Sequence, residues 1–579
     1  MKNVKNLFGM AVMATALVGC SSNDNLNPNA NEGAGTTGTA YAKFTIQLPT
    51  TNGTRADKPG TPSFNGGSDN EYAVKDAQLL IFEKTPTSSS EGDYKFVETV
   101  KIGNLEPWNN QNSQGVTRYA DITAKLENVD LTDSGDKYYA LIILNNEGQS
   151  KVTLPTTTPE TTYSAWNKAN HAKSAADFLK SDNGFYMANA PKYVAGGEPT
   201  TLVPIKGVYS TKAEAQKNPA TTVYVERGMA KVTIGSTTFD ANKSVTASAN
   251  YNEDKVTITN WTLDVLNQKT FPVHNTVGLN TIWNQTWAGR FFDNTSTEFK
   301  RVYWGVDPNY DLGLTDIADC KDQFYLVDPS GATYNGETSS SVTWSTKDQS
   351  LYCLENTFDL DNMKQGQTTR VVFKATYIPN VLASATATED KTFFMIGDNP
   401  KIWTMTTLKQ QITNKVQELL KSTSVSVTIN AGADLLKAGS HKVTAADITI
   451  TGTTASLNYD ELNTKLGLDN TPGIKTYKNG ECYYIARIKH FNELTHWESG
   501  DPTYKNTTLT EAQSNEKFLG RYGVLRNNWY ELTVSKVSAP GYPDVPEVKP
   551  ETPDDEDTKY INVEVKILDW AKRTQDVQL

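Results

Sequence analysis

Residues 42–48 read AKFTIQL, with Ala42, Phe44, Ile46 and Leu48 apolar and Lys43, Thr45 and Gln47 polar. A strict period of two puts one face of an extended segment in a core and the other toward solvent, so this stretch predicts a half-buried β-strand. Similar runs recur at Ala77–Phe82, Tyr138–Leu144, Val223–Ile234, Val256–Leu266, Thr368–Tyr377, Cys482–Ile488 and Tyr530–Val537, most of them bounded by turn-forming clusters. Helical spacing is rare. Leu408, Ile412, Val416, Leu419 and Leu420 keep it, and Ala175–Leu179 offers a short turn or two. The pattern predicts an all-β chain: a β-sandwich repeated about twice, with a few short connecting helices and a boundary near residue 236.

The composition narrows the function classes. The chain has 579 residues and a net charge of −11, and this acidic balance argues against nucleic acid as a partner. Hydrophobic residues make up 37%, and the mean hydropathy is −0.52, which excludes an integral membrane bundle. Four Cys and five His leave little material for metal clusters or a disulfide framework. Cys320, Cys353 and Cys482 read as small buried hydrophobes, with one disulfide pair as the alternative.

The two ends carry the information. Lys2 and Lys5 precede an apolar run from Leu7 to Val18 that is too short to span a bilayer, the layout of a secretory signal peptide over residues 1–19. Leu17-Val18-Gly19-Cys20 resembles the lipobox of bacterial lipoproteins, which makes Cys20 the acylated residue; an ordinary signal peptide with an incidental Cys is the alternative. Residues 20–40 are Ser, Asn, Gly and Thr with hardly an apolar side chain and read as a flexible tether. After the strand at 42–48, Pro49–Gly67 reads as exposed loop, and Arg55 sits in it between Thr54 and Ala56. Exposed loop tips with small neighbours are where proteases cut, so 41–55 reads as a removable strand with its cleavage loop. Two sandwiches, 56–236 and 237–537, follow it.

Residues 538–559 hold five Pro and seven Asp or Glu, so the segment 538–560 reads as an extended spacer that buries no core. Ile561, Val563, Val565 and Ile567 then alternate with polar residues, Leu568 and Trp570 shift the phase as at a bulge, and the chain closes on Val577 and Leu579. An apolar strand beyond such a spacer either folds back into its own sandwich or completes the sheet of a neighbouring copy. Burying six side chains of this kind contributes roughly 10–15 kcal/mol. Ordering a dozen or so residues costs a similar amount, at about 1–2 kcal/mol each. Donation therefore needs a preformed groove.

These stretches, with Gly53-Thr54-Arg55-Ala56, Phe185-Tyr186-Met187, Val225-Glu226-Arg227, Ala230-Lys231-Val232, Tyr303 through Tyr310, Glu355-Asn356-Thr357, Thr369-Arg370-Val371 and Tyr522 through Asn528, give the chain its resemblance. It resembles the fimbrillins of Bacteroidales type V pili, in particular the major subunit of short (minor) fimbriae. The resemblance implies two transthyretin-like β-sandwich domains. It implies export as an outer-membrane lipoprotein acylated at Cys20, and cleavage of Arg55–Ala56 by a trypsin-like surface protease. Polymerisation by strand exchange would follow, with the strand of Phe44, Ile46 and Leu48 removed and residues 561–579 donated. The implied partners are further copies of the chain, accessory tip and anchor fimbrillins, and a host or bacterial surface receptor. The sequence departs from the family in the lengths between these stretches, above all at 379–475, so surface loops there do not map.

Chemistry offers no competitor of equal weight. His490 and His496 flank Glu493 without zinc-protease spacing and read as sandwich-edge residues. No phosphate loop or nucleophile elbow occurs, and Asp554, Asp555, Glu556 and Asp557 read as solvated linker rather than a calcium loop. The chain thus reads as a non-enzymatic subunit with no cofactor or metal. A pilus tip or anchor subunit, or a surface glycan-binding lipoprotein, is the alternative.

Overall fold

The computed structural model describes residues 39–49 and 69–568, apart from 106–108, 111–115, 133–135, 195–197, 247, 280–290, 293–299, 385–389, 491–518 and 555–560. Strands and short connecting helices make up the architecture, as the sequence pattern leads one to expect.

The first half contains β1 (Ala40–Pro49), β2 (Ala77–Glu83), β3 (Lys95–Lys101), β4 (Asn109–Asn110), β5 (Val116–Leu126), β6 (Tyr138–Leu144), β7 (Met187–Asn189), β8 (Val203–Pro204) and β9 (Thr221–Arg227). Hydrogen bonding runs in the order β3-β2-β6-β7-β9-β1-β5-β4, with β8 on β6. The ladder folds over at β9, whose first part pairs with β1 and whose last part pairs with β7. Phe44, Ile46 and Leu48 from one leaf therefore meet Leu79, Ile81, Ala140 and Ile142 from the other in a single core. β6 reads YYALIIL, without alternation, because both its faces are buried; Leu141 and Ile143 pack outward against Trp166, Phe178 and Tyr186.

Val223–Ile234, expected as one strand, is two. β9 ends at Arg227, and β10 (Ala230–Ile234) already belongs to the next sheet, so the chain crosses at Gly228–Met229, ahead of residue 236. The crossing is tight: a Cβ on Gly228 would lie 2.8 Å from the Phe178 ring.

The second half adds β11 (Lys243–Ser244), β12 (Lys255–Asp264), β13 (Leu266–Asn267), β14 (Phe324–Tyr325), β15 (Ser350–Cys353) and β16 (Arg370–Ile378). The chain then leaves the sandwich for β17 (Phe393–Ile396), β18 (Ile402–Trp403), β19 (Ser426–Ile429), β20 (Gly439–His441), β21 (Ile448–Thr451) and β22 (Ile474–Tyr477). It returns as β23 (Glu481–Arg487), β24 (Trp529–Val537) and β25 (Ile561–Leu568). Sheet β15-β10-β24-β25 faces sheet β11-β12-β16-β23 across a core of Val232, Ile258, Trp261, Phe373, Tyr484 and Leu532.

The region 379–475, which the resemblance leaves unmapped, is not loop. Between β16 and β23 it builds its own apolar unit, in which helix Met405–Leu420 buries Leu408, Ile412 and Val416 against Phe394, Leu462 and Ile474. The helix begins on Thr404, whose side chain accepts from Thr407 N, and carries the spacing read from the sequence.

Two further expectations are corrected. The spacer does not stand free: residues 538–554 lie along the second sandwich. Val545 packs on Val372, Tyr483 and Ile485, and Val548 fills a cluster with Val265, Cys320 and Phe324. The prolines lack N–H groups, and four donors between them are bonded: Tyr542 to Tyr483 O, Val545 to Pro329 O, Thr552 to Lys549 O and Asp554 to Met363 O. Asp554 is buried, not solvated, with Thr368 Oγ1 donating to its carboxylate at 3.2 Å. His490 is also buried rather than at an edge, 2.7 Å from the Tyr530 hydroxyl; His496 and Glu493 lie outside the described residues.

Cys320, Cys353 and Cys482 are free and buried. Burial pushes the thiol of Cys320 up to about 11 and those of Cys353 and Cys482 up to about 12. In a chain starting after residue 20, a disulfide reagent at pH 8 is expected to label none of the three until denaturant is added. Rapid labelling of the native protein would contradict this packing.

Candidate assembly site

β1 is an interior strand of its ladder, although it is the first of the described elements. It runs antiparallel to β5, from Ala40 opposite Leu126 to Leu48 opposite Arg118. On its other side it runs parallel to β9, from Phe44 opposite Thr221 to Gln47 opposite Tyr224. Upstream of that pairing, Tyr41 and Tyr209 exchange both backbone hydrogen bonds, at 2.8 and 2.9 Å. Phe44 and Ile46 are fully buried and Leu48 is 2% exposed, whereas Lys43, Thr45 and Gln47 reach the outer face. Thr45 Oγ1 donates to Asp121 Oδ1 there at 2.5 Å. Burying the three large side chains contributes roughly 5–9 kcal/mol. Without β1, two rows of backbone groups and an apolar slot would face water.

β25 is the end strand of its sheet. It pairs antiparallel with β24, from Ile561 opposite Val537 to Leu568 opposite Trp529. The register shifts on β24, between Val534 and Lys536; the phase shift expected at Leu568 and Trp570 runs outside the described residues. The C-terminal strand is thus folded back on its own sandwich in this monomer. Its four alternating positions, Ile561, Val563, Val565 and Ile567, match in period the Ala42, Phe44, Ile46 and Leu48 of β1. Cys20, Arg55, Ala56, Trp570, Val577 and Leu579 lie outside the described residues.

Around the β9–β10 crossing lies a buried polar junction that the sequence reading did not assign. It gathers many of the stretches that carry the resemblance. Glu226 meets Arg301 at 2.9 Å and His274 at 2.7 Å. Burial works to raise the Glu226 carboxyl, but His274 and Arg301 together hold it below its ordinary value. Arg227 donates to Glu71 O at 2.8 and 2.9 Å and to Asn527 Oδ1 at 3.2 Å, and burial pushes its guanidinium down to about 10. Lys231 pairs with the Glu71 carboxylate at 2.7 Å, lies 3.7 Å from the Trp529 ring centre, and shares Glu71 with the Tyr352 hydroxyl. Arg526 pairs with Glu355 at 3.1 Å, and Arg370 with Asp264 at 2.7 Å. Asp307, pushed up to about 7 by burial, accepts from the backbone N–H groups of Thr357 and Asn309. The available signal was the set of charged residues inside otherwise apolar strands, as in Val225-Glu226-Arg227. Such groups are buried only when paired.

Residues 475–576, which include β23, β24, β25 and the docked spacer, match the family described as major fimbrial subunit protein type IV, fimbrillin, C-terminal. This stretch is similar to the C-terminal part of that family. No relative among curated proteins matches significantly. Among solved structures, a candidate cell adhesion protein from Parabacteroides distasonis aligns over 93% of this chain and 99% of its own, at 10% identity and a TM-score of 0.37. A second, from Bacteroides eggerthii, aligns over 94% and 100% at 12% identity and a TM-score of 0.32. A fimbrial assembly protein from Parabacteroides distasonis aligns over 58% and 96% at 9% identity and a TM-score of 0.24. Within the matched region, Tyr530 and Leu532 place β24 in the core of the second sandwich, while Trp529 reaches the apolar cluster on the outer face of β6. Among the described residues no helix is long and apolar enough to cross a membrane, and no group of three or more His, Cys, Asp or Glu is placed to hold a metal ion.

If β1 closes the first sandwich, Phe44→Ala in the uncleaved chain should lower its stability by about 3–5 kcal/mol. Thr45→Ala, on the outer face, should change it by less than about 1 kcal/mol. Urea unfolding followed by tryptophan fluorescence measures both, and equal effects would contradict the buried placement.

Proposed function

We propose that the chain is a structural, non-enzymatic subunit of a cell-surface fimbria, exported as a lipoprotein through Cys20 and assembled by strand exchange. The observation that carries this reading is the position of β1. An N-terminal segment fills an interior slot between β5 and β9 and is joined to the rest only through residues 50–68, the stretch that holds Arg55. A trypsin-like surface protease hydrolyses the Arg55–Ala56 bond, β1 departs, and the β25 segment of a neighbouring copy enters the slot. Leaving its own sheet costs β25 only the β24 ladder, and the β10–β24 pairing stays behind.

Reach limits the transfer. With 538–554 docked, six residues, 555–560, link Asp554 to β25. Fully extended they span about 20 Å. A neighbour's slot must come within that distance, or the docked segment must peel away with the strand. Tip and anchor fimbrillins and a host or bacterial receptor are the further partners of this reading.

Treating the full chain with a trypsin-like protease should remove the residues up to Arg55, read as a mass change, and then produce SDS-resistant ladders. Deleting 561–579 should abolish the ladders while the cleaved subunit keeps its circular dichroism spectrum. Ladders that persist after the deletion would overturn the donor assignment.

A further inference from the structure

We propose that Glu226 and Arg227 are positioning residues that hold β9, one wall of the first-sandwich slot, in place while the slot is empty. The proposal rests on the strand-exchange reading, because only exchange requires an empty slot to persist.

β9 is seven residues long, and β1 is the ladder partner of Thr221–Tyr224. When β1 leaves, the strand keeps its pairing with β7 over Val225–Arg227, one bond from Ala190 N to Tyr224 O, and one from Lys206 N to the Thr221 hydroxyl. So short a ladder does not by itself hold a strand against fraying. A frayed wall would have to be reordered by the incoming strand, which slows capture.

The last two residues of β9 are held by groups that do not depart with β1. Glu226 Oε2 accepts from Arg301 Nε and Nη2 at 3.1 and 2.9 Å, and Glu226 Oε1 lies 2.7 Å from His274 Nδ1. The Arg227 guanidinium donates to Glu71 O, and both its Nη1 and the Arg227 backbone N donate to Asn527 Oδ1 at 3.2 Å. Glu226, Arg227, His274, Arg301 and Asn527 are each at most 2% exposed. Glu71 lies beyond Arg55, and His274, Arg301 and Asn527 lie in the second half of the chain. Loss of residues up to Arg55 therefore leaves every clamp intact. Hydrogen bonds to charged groups in so dry a site are strong and directional, so the clamp fixes both the position and the register of the wall.

The test uses the full chain cleaved after Arg55, at high dilution, with an excess of a fluorescent peptide copying residues 561–579. Asn527→Gly removes the acceptor for Arg227 at a position where φ is +57°, which glycine adopts without strain. Glu226→Gln removes the charge that holds Arg301 and His274. Each variant should capture the peptide about tenfold more slowly than the parent, while hydrogen exchange of Thr221–Glu226 in the uncleaved chain stays unchanged. Capture at the parent rate by folded variants would overturn the proposal. Should Glu226→Gln fail to fold, Asn527→Gly decides. A parent that captures no peptide overturns the strand-exchange reading instead, and hydrogen exchange then still reads the wall. Protection of Thr221–Glu226 in the cleaved parent that is lost in Asn527→Gly supports the clamp, and equal protection in the two refutes it.

Discussion

β5 and β9 each turn a row of backbone N–H and C=O groups toward the same slot, and β1 satisfies both rows at once. Unpaired buried backbone groups are too costly for a sandwich to tolerate, so this slot must always hold a strand or open to water. Much of the first half depends on that requirement. The core of Leu79, Ile81, Ala140 and Ile142 is closed on its far side by Phe44, Ile46 and Leu48, and β9 bends between the two leaves because it serves both.

The junction gives this arrangement its rigidity. Each half contributes charged groups that could not be buried alone: Glu71, Glu226 and Arg227 from the first, Lys231, His274, Arg301 and Arg526 from the second. Breaking one such pair leaves an uncompensated buried charge, so the network specifies a single arrangement of the two sandwiches more than it adds stability. Trp529 and Leu354 extend the contact into the apolar cluster on the outer face of β6.

What was legible in the sequence followed from local periodicity. The strand at 42–48, the run at 138–144 and the helix near 408–420 were readable because each pattern reports its own burial. The spacer was misread because Pro and acidic residues dominate 538–560 by number, whereas Val545 and Val548, two residues among many, decide where it lies. Val223–Ile234 was read as one strand because apolar pattern carries no information about which sheet a residue joins. Asp554 and His490 looked exposed for the same reason, since their partners Thr368 and Tyr530 are supplied by tertiary structure. The assembly site was half legible. Period two marked β1 and β25 as strands, but their neighbours and the clamp on Glu226 and Arg227 required coordinates.

Under the proposed strand exchange, the two strands face opposite demands. β1 must hold the slot firmly enough for the precursor to fold, and β25 must rest on β24 loosely enough to leave. Their sequences agree with that division: β1 carries Phe44, Ile46 and Leu48 on its buried face, whereas β25 is an end strand with one ladder. The most direct test is the structure of the assembled filament by electron cryomicroscopy, resolved well enough to trace side chains in the slot between β5 and β9. The account predicts that residues 561–568 of an adjacent subunit occupy it. A slot still holding residues 40–49, or a β25 still paired with its own β24 in the filament, would contradict it.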